Sequence, residues 1–466
     1  MQATRSDKPV VLLFCRPYLV EDFRVNFAPF SEKYDFRHLT DGRSLGTDDT
    51  REAFYRHMKA GSVSQILTDA DRVDIIRRCR LLRNLPERRA AMLVEAMACA
   101  LGEWFDRIKP RLVVCHMVDE YVTHLVSLLA RKRGIRYIGY AYSFFPDLIQ
   151  ITEYENGQPI DIREPSPDEV QAVIDRLTQG YFRQDYGQRT NYSRKQHLLG
   201  LFRYRLKQAL FWGRGVLDRD RWNVHYAITP YIVERRRLAD YPSDADFDVD
   251  WARSISSQRD NKKGVAYLPL GYFPESTIDY WTPNRAIIDY ENMIATMARS
   301  LAADFVVVIK EHPHMLGARD RAFYERLRSI DGVVLVHALE YSSEVMRLSD
   351  CVVLGAGSGG VEAVLTDKPV FSYVDTSYWF AASGATYLDL DNIESWPAQI
   401  GAIIAAHVPL TAAEKAAFIA HCLASTIRQR PGKKRWPHCD LADLDRLLSL
   451  GLHGAEPLGG RADPVR

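Results

Sequence analysis

Short apolar runs of strand length alternate with longer amphipathic stretches along most of this chain. In the first half, PRLVVCHMV is followed by DEYVTHLVSLLARKRG and then by IRYIGYAY, which is a strand, helix and strand in succession. In the second half GVAYLPL, DFVVVIK, GVVLVH and CVVLGA follow one another with a helical stretch between each pair. Strands that alternate with helices pair in parallel, so the sequence predicts an α/β fold with two parallel sheets.

The chain of 466 residues is too long for one ordinary core, which predicts two domains. Residues 241–264 are rich in acids and serines without an apolar period, so we interpret them as the linker. The acids within it, Asp246 and Asp248 among them, are predicted to be solvated surface rather than a metal site. The predicted organisation is an N-terminal Rossmann-like domain at 1–245 with a basic helical insertion at about 181–222, a C-terminal Rossmann-like domain at 246–425, and a C-terminal helix and tail at 426–466.

Charge and cysteine content exclude several classes of protein. The 61 Lys and Arg residues against 60 Asp and Glu leave a formal charge of +1, so no global field attracts nucleic acid. The seven cysteines form no C-x-x-C pair, which argues against a disulfide framework or zinc ribbon and for a reducing compartment. No metal and no cofactor is predicted. The first residues lack signal-peptide features, and no run approaches the ~18 apolar residues of a membrane span, so we expect a cytoplasmic protein.

Within the basic insertion, HLLGLFRYRLKQALFW places Leu198, Phe202, Leu206 and Leu210 at helical spacing. Such a helix could lie on an anionic membrane surface, which would be the cytoplasmic face of the inner membrane. The alternative, which the sequence favours, is an amphipathic helix whose apolar side packs on its own domain while its basic side faces water.

A G-x-G-x-x-G pattern follows the strand CVVL, with glycines at Gly355, Gly357 and Gly360. This pattern is typical of NAD-binding proteins, but here it lies on a late strand, and its helix is cut short by Asp367 and Pro369. A nucleotide sugar would use the same features, since glycines let the backbone approach a phosphate and N–H groups at a helix start point towards it. These features weigh against NAD, so we rank a dehydrogenase last among the possible functions.

Glu362 follows these glycines in the first turn of the helix. A carboxylate there would repel a pyrophosphate but can accept hydrogen bonds from the two hydroxyls of a ribose. The alternative is a capping role, with Gly359 as the N-cap residue and Glu362 at the third helical position. The ribose role is favoured because the glycines need a ligand to explain them.

Three loops follow strands of the second half, at residues 271–276, 311–317 and 355–360. Because carboxyl ends of parallel strands bind ligands, we expect these loops to share one cleft. In the second loop Pro313 restricts His312 to extended conformations, which holds the imidazole at the strand end. It can donate a hydrogen bond to a phosphate oxygen, and Lys310 or Arg319 could add charge.

Three segments resemble a known family: LPLGYFPESTIDYW, VVIKEHPHMLGARDRAFYERLRSI and GVVLVHALEYSSEVMRLSDCVVLGAGSGGVEAVLTDKPVFSY. They look like bacterial capsular polysaccharide biosynthesis proteins, which include Kdo transferases of capsule and lipopolysaccharide assembly. That family is similar in turn to glycosyltransferases of GT-B type with a His-Pro motif and a Ser/Gly-rich motif that ends in Glu. The resemblance covers about 265–375, and it implies two Rossmann-like domains that face a central cleft.

The resemblance also implies roles for individual residues at the donor. His312 and Pro313 match the motif that contacts the nucleotide and phosphate, and Glu362 matches the residue that reaches the ribose. The remaining donor-site residues that we predict are Lys310, Gly357, Ser358, Gly359, Gly360, Pro274 and Glu275. The chain departs from the family at 356–358, where Ala-Gly-Ser stands in place of the usual Thr-Gly-Thr or Ser-Ser, so one hydroxyl is missing.

The activity implied is a metal-independent, inverting glycosyltransferase that moves a sugar from a CMP-, UDP- or similar donor to an oligosaccharide or lipid-linked glycan acceptor. His312 would stabilise the departing phosphate, and a base on the opposing domain would take a proton from the acceptor. Asp119 or Glu120, which follow a first-domain strand, are the candidates, although a helix N-cap with an acid in the first turn explains them equally well. Arg16 is assigned to the acceptor side.

Two other functions remain open from the sequence. A CDP-polyol phosphotransferase of teichoic-acid type shares the histidine-proline and serine-rich layout. A scaffold of the polysaccharide export machinery could keep the fold without turnover.

Overall fold

The computed structural model describes residues 8–44, 46–178, 194–217, 220, 222, 229, 237–430 and 438–453. The chain forms two compact units. The first contains the chain up to Ile76, Leu85–Glu164 and the chain from Ala424; the second contains Arg77–Asn84 and Pro165–Leu423. These divisions differ from the predicted boundaries at 245 and 425.

Fifteen strands are present in the described residues. They are β1 Val10–Cys15, β2 Asp35–Thr40, β3 Asp48–Asp49, β4 Leu112–His116, β5 Arg136–Tyr142, β6 Leu148–Glu153, β7 Gln158–Pro159, β8 Val265–Pro269, β9 Val306–Lys310, β10 Val333–Val336, β11 Cys351–Leu354, β12 Val370–Ser372, β13 Thr386–Tyr387, β14 Thr426–Arg430 and β15 His438–Cys439.

The described α-helices are α1 Val20–Phe27, α2 Arg51–Ala60, α3 Asp69–Arg78, α4 Glu87–Ile108, α5 Tyr121–Lys132, α6 Pro167–Thr178, α7 Arg194–Leu217, α8 Trp251–Arg259, α9 Ser276–Asp279, α10 Tyr290–Ala302, α11 Arg321–Arg328, α12 Ser342–Leu348, α13 Gly359–Leu365, α14 Trp396–Ala406, α15 Ala412–Ala424 and α16 Leu441–His453. Short 3-10 turns lie at Pro17–Leu19, Ala28–Phe30, Leu82–Asn84, Leu238–Asp240, Asp244–Asp246, Arg285–Ile288, Pro313–Met315 and Leu390–Ser395.

The first unit contains a mixed sheet with strand order β15-β14-β6-β5-β4-β1-β2-β3, and β7 pairs with β6. Strands β3, β2, β1, β4 and β5 run parallel, as the sequence predicts. From β6 onwards the pairing is antiparallel. The connection from β5 to β6 spans only residues 143–147, which is too short for the crossover that a parallel neighbour needs.

Helix α16 supplies part of the core of the first unit. Leu444 and Leu447 belong to the same apolar cluster as Val11 and Val114 of the central strands and Phe23 of α1. The predicted separate C-terminal helix is therefore an integral part of the first unit, because its apolar face is needed to cover the sheet.

The second unit contains a fully parallel sheet with strand order β10-β9-β8-β11-β12-β13. Its central strands are rich in valine and buried throughout, as expected for strands covered by helices on both faces. The predicted α/β fold with two sheets is confirmed, with the antiparallel strands of the first unit as the exception.

The predicted linker is part of the second unit. Phe247 is buried against Tyr324 and His337, with ring centroids 5.7 and 4.8 Å away. Asp246 is also buried, accepts hydrogen bonds from Ser243 at 2.7 and 2.9 Å, and pairs with Arg321. Burial opposes the ionisation of Asp246, but these contacts outweigh it and lower its pKa. The prediction of a solvated linker is thus wrong here, because the packing of the Phe247 ring and the contacts of Asp246 bury these residues despite the acidic composition of the segment.

Helix α7 confirms the helix predicted within the basic insertion, although it belongs to the second unit. The expectation that its apolar side packs on its own domain is wrong, since Leu198, Phe202, Leu206 and Leu210 are all exposed. Residues 181–193, 218, 219 and 221 of the predicted insertion lie outside the described residues. Across the described ranges, no helix combines the length and apolarity needed to cross a bilayer.

Candidate functional site

The three loops singled out in the second half follow β8, β9 and β11, which are neighbours in the sheet in the order β9-β8-β11. The strands are parallel, so all three loops lie at its carboxyl edge. The sequence predicts ligand binding at this common edge. The predicted donor-site residues lie in these loops or directly next to them.

His312 lies two residues beyond β9, and both its backbone and its ring are fixed in position. Its backbone is extended, with φ −74° and ψ 130°, as expected before a proline. Its ring Nδ1 accepts a hydrogen bond from the backbone N–H of His314 at 3.2 Å. Since Nδ1 is the acceptor, a neutral ring carries its proton on Nε2.

The imidazole of His312 stays neutral over the physiological range. Burial lowers its pKa to about 3, and the positive charges of His314, Lys310 and Arg319 act in the same direction. The ring of Tyr272, from the loop after β8, lies 5.7 Å from that of His312. The site thus presents a neutral N–H donor, fixed in orientation, at the carboxyl edge of the sheet.

Glu311 holds the loop after β9 in place through three hydrogen bonds. It is fully buried and accepts hydrogen bonds from the backbone N–H of His312 at 2.5 Å, Arg319 Nε at 2.8 Å and the Tyr324 hydroxyl at 2.8 Å. Arg319 in turn donates from Nη2 to the Gly271 carbonyl oxygen at 2.5 Å. The Glu311–Arg319 pair therefore joins the loop after β9 to the loop after β8.

The charge of Arg319 acts on His312, but its side chain is not exposed for direct contact with a phosphate. Its side chain is completely buried, and its Nε and Nη2 are committed to Glu311 and Gly271. Arg319 also lies 5.1 Å over the ring of Tyr290, whose hydroxyl accepts the Gly271 N–H at 2.6 Å. These contacts make Arg319 a residue that positions the loops.

Pro274 and Glu275 lie in the loop after β8. The Phe273–Pro274 peptide bond is cis, and the ring of Phe273 stacks on Tyr290 at 5.0 Å. Glu275 accepts a hydrogen bond from the Thr277 hydroxyl at 2.7 Å, and burial raises its pKa. Both residues are at the predicted edge, on a loop whose backbone is tied down at Gly271.

The charge of Lys310 acts both on His312 in the histidine loop (residues 311–317) and on Glu362, just beyond the glycine loop (residues 355–360). The Nζ of Lys310 donates to the Ala338 carbonyl oxygen at 3.1 Å. Burial raises the pKa of Glu362 to about 7, with Lys310 opposing the shift. Lys310 therefore lies close enough to both His312 and Glu362 for its charge to affect the pKa of each.

The glycine loop differs from expectation in register. Helix α13 begins at Gly359 with Ser358 as its N-cap residue, so Glu362 is at the fourth helical position rather than the third. Ser358 makes no side-chain capping hydrogen bond. The alternative role for Glu362, a cap with Gly359 as the N-cap residue, therefore does not match the structure, because the third helical position is occupied by Val361.

Two of the three motif glycines are explained by packing within the chain. A Cβ on Gly360 would lie 2.5 Å from the ring of Trp379, and one on Gly355 would lie 2.8 Å from the ring of Tyr373. Gly357 has nothing within 4 Å of such a Cβ, and it is exposed. The inference that the glycines need a ligand to explain them is wrong for Gly355 and Gly360, and only Gly357 borders open space.

A second cluster lies at the carboxyl edge of the first unit's sheet. Arg16 follows β1, Asp41 follows β2, and Asp119 and Glu120 follow β4, and these three strands are neighbours. Arg16 Nη2 donates to Asp119 at 2.8 Å, while Nη1 donates to both Asp41 and Glu120. All four side chains are buried.

The electrostatics of this cluster separate the two predicted bases. Burial raises the pKa of Glu120 to about 8, with Arg16 opposing and Asp119 and Asp41 reinforcing the shift, so Glu120 is mostly protonated at neutral pH. It is also the N-cap residue of α5, and its backbone N–H donates to Thr123 Oγ1 at 3.3 Å. These observations favour Asp119 over Glu120 as the group that accepts a proton.

Arg16 was assigned to an acceptor, and that role stays a prediction. The guanidinium has no exposed surface and is surrounded by three carboxyl groups. The geometry favours a role for Arg16 in holding Asp119 and Glu120. Asp41, which we did not predict from the sequence, belongs to the same cluster, and its place after β2 at the same edge was the available signal.

His116 lies beside this cluster. Burial opposes the protonated form of His116, but the charges of Cys115 and Asp119 outweigh the effect of burial and raise the pKa of His116 to about 10.

No family model and no curated protein matches the sequence. Among solved structures, the chain is similar to KpsC, a beta Kdo 2,7 transferase of Thermosulfurimonas dismutans, with 13% identity, coverage of 75% of this chain and 88% of that chain, and a TM-score of 0.32. It is also similar to UDP-GlcNAc 2-epimerase of Neisseria meningitidis bound to UDP-GlcNAc, with 14% identity, 89% and 99% coverage, and a TM-score of 0.27.

A third similar structure is a putative UDP-N-acetylglucosamine 2-epimerase of Listeria monocytogenes, with 12% identity, 97% and 98% coverage, and a TM-score of 0.28. With identities and TM-scores this low, these likenesses assign no activity to the chain. In the described part of the chain, no group of three or more His, Cys, Asp or Glu side chains is arranged to hold a metal ion.

Proposed function

We propose that the chain is a glycosyltransferase that takes a sugar from a nucleotide-activated donor and transfers it to a glycan acceptor, with the donor at the carboxyl edge of the second sheet. The observation that carries the proposal is the fixed, neutral His312, whose Nδ1 accepts the His314 N–H and whose Nε2 therefore carries the proton. A neutral N–H donor can bind the phosphate before and after the glycosidic bond breaks, because it does not need to change protonation state.

The neighbouring residues supply the rest of a donor site. Lys310 brings a positive charge beside His312, which favours an anionic phosphate. Glu362, with a pKa of about 7, is ionised in a large part of the molecules at neutral pH and can accept hydrogen bonds from ribose hydroxyls. Gly357 borders open space, so a phosphate can approach its backbone closely.

In the first unit we assign Asp119 as the base that removes a proton from the acceptor hydroxyl. Its carboxylate is held by Arg16 at 2.8 Å and lies 3.4 Å from His116, so it is oriented before an acceptor arrives. The acceptor class, an oligosaccharide or lipid-linked glycan of capsule or lipopolysaccharide assembly, is proposed on the resemblance of 265–375 alone.

Donor binding is tested with a nucleotide panel of CMP, CDP, UDP and NAD, using thermal stabilisation and calorimetric titration. We expect one of the pyrimidine nucleotides to bind and NAD not to bind. His312→Ala should weaken that nucleotide by about 10- to 100-fold, the range expected for one hydrogen bond to a charged group. His314→Ala is the matched control, since it keeps the backbone N–H that holds His312, and it should bind normally.

Turnover is tested by nucleotide release in the presence of donor and acceptor. Asp119→Asn should abolish release while donor affinity stays unchanged, and Glu120→Gln should retain more activity than Asp119→Asn. Release of CMP from a CDP-polyol, with the polyol phosphate found on the acceptor, would replace the proposal with a phosphotransferase. Tight nucleotide binding with no transfer from any donor would favour a scaffold.

A further inference from the structure

Helix α7, Arg194–Leu217, presents a broad apolar face to solvent. Eight large apolar side chains spread along it are between 47% and 84% exposed: Leu198, Leu199, Phe202, Leu206, Leu210, Trp212, Val216 and Leu217. Leu198, Phe202, Leu206 and Leu210 are spaced four residues apart, so they follow one side of the helix. Tyr204, on a different side of the helix, is buried.

The charge on this helix is entirely of one sign. The 24 residues contain six Lys and Arg and no Asp or Glu, in a chain whose formal charge is only +1. At 100° per residue, Arg203, Lys207 and Arg214 lie along one border of the Leu198–Leu210 stripe. Arg205 lies along its other border, beside Trp212, and Lys195 lies within the stripe at the N-terminal end of the helix. All five of these basic side chains are exposed.

We propose that α7 is a membrane-docking helix that lies in the plane of an anionic lipid surface, with its apolar stripe inserted among the acyl chains and its basic borders on the headgroups. Helices of this composition bind at the interface because apolar burial and attraction to anionic lipid act together. The 24 residues extend about 36 Å, yet α7 is not apolar enough to cross a bilayer.

The charge decides between the occupants of this face. A second copy of the helix would bring an equal set of positive charges against the first, which like-charge repulsion disfavours. A nucleic acid would match the basic borders but leave the aliphatic and aromatic stripe in water. An anionic bilayer satisfies both, and the inference does not depend on the proposed glycosyltransferase activity.

The test is flotation of the full chain with vesicles of phosphatidylcholine alone and of phosphatidylcholine mixed with phosphatidylglycerol. The wild-type chain should float with the anionic vesicles and much less with the neutral ones, and added salt should release it. Phe202→Ser combined with Leu210→Ser should weaken binding by about 10-fold per site. Arg203→Gln combined with Lys207→Gln should weaken it by about five-fold per site, since each basic residue near the surface contributes on the order of 1 kcal/mol.

The matched control is Val249→Ser combined with Val408→Ser. These valines are 85% and 78% exposed but lie outside α7, so vesicle binding should be unchanged. All variants should melt at the wild-type temperature, because the altered side chains are exposed. As a second readout, anionic vesicles should blue-shift the tryptophan emission of the wild type, and Trp212→Phe should remove most of that shift.

Three results would overturn the proposal. The first is a wild-type chain that does not float with anionic vesicles. The second is binding that survives the Phe202→Ser, Leu210→Ser change or falls equally in the valine control. The third is a wild-type chain that self-associates through these residues, becomes monomeric when they are changed, and shows no lipid dependence.

Discussion

Replacing Gly360 with alanine separates packing from ligand binding in the glycine loop. The added Cβ would lie 2.5 Å from the Trp379 ring, whereas ordinary contact begins near 3.4 Å, so the ring or the helix must move by about 0.9 Å. Trp379 is fully buried, which leaves its ring no solvent to move into. Overpacking of this kind costs ~1–3 kcal/mol, and the melting temperature Tm should fall by roughly 3–10 °C.

Gly357→Ala is the matched control, because its Cβ meets nothing within 4 Å. Its Tm should stay within about 1–2 °C of wild type, as expected for a surface change of about 0.5 kcal/mol or less. Differential scanning calorimetry measures both. The new methyl group should nevertheless weaken nucleotide binding, since it occupies the space proposed for a phosphate. A Gly360→Ala protein that melts like wild type, or a Gly357→Ala protein that is destabilised as much, would refute this account of the loop.

Three further changes test the buried charges. Glu311→Gln should destabilise the second unit by about 3–5 kcal/mol in urea unfolding, because Arg319 loses its buried partner; a loss below 1 kcal/mol would contradict the role given to this pair. Arg16→Met should cost a similar amount at pH 8 and less at pH 5, where Glu120, with its raised pKa, is protonated and needs no cation; a cost independent of pH would argue against the cluster. The raised pKa of Glu362 means that wild-type stability falls as pH rises from about 4.5 to 7, so Glu362→Gln should flatten this decline in a series of thermal melts; parallel curves for the two proteins would contradict the shift.

The order of strands and helices was predictable because periodicity is a local property of the sequence. Valine-rich runs such as β9 and β11 are buried on both faces and leave little choice of structure. The three loops at one edge follow from parallel pairing alone. By contrast, the antiparallel addition of β14 to β6 joins residues far apart in the chain, and no local pattern in Thr426–Arg430 specifies that partner.

The candidate site was predictable only in part. His312 was found because a following proline fixes it, but the tautomer depends on the His314 N–H, which only the structure reveals. The burial of Arg319 was not predicted, since a sequence cannot distinguish an exposed arginine from one buried against Glu311. Trp379 lies 19 residues beyond Gly360, and nothing in the sequence between them indicates that the two pack together.

The most direct test of the donor site is the protonation state of the His312 ring, observed by NMR on protein labelled with ¹⁵N-histidine and assigned with His312→Ala. We expect a neutral ring protonated on Nε2 that does not titrate between pH 5 and 8, because burial lowers its pKa to about 3. Adding the bound pyrimidine nucleotide should shift the Nε2 resonance more than the Nδ1 resonance. A ring that titrates near pH 6.5, or a proton on Nδ1, would contradict the proposed donor site.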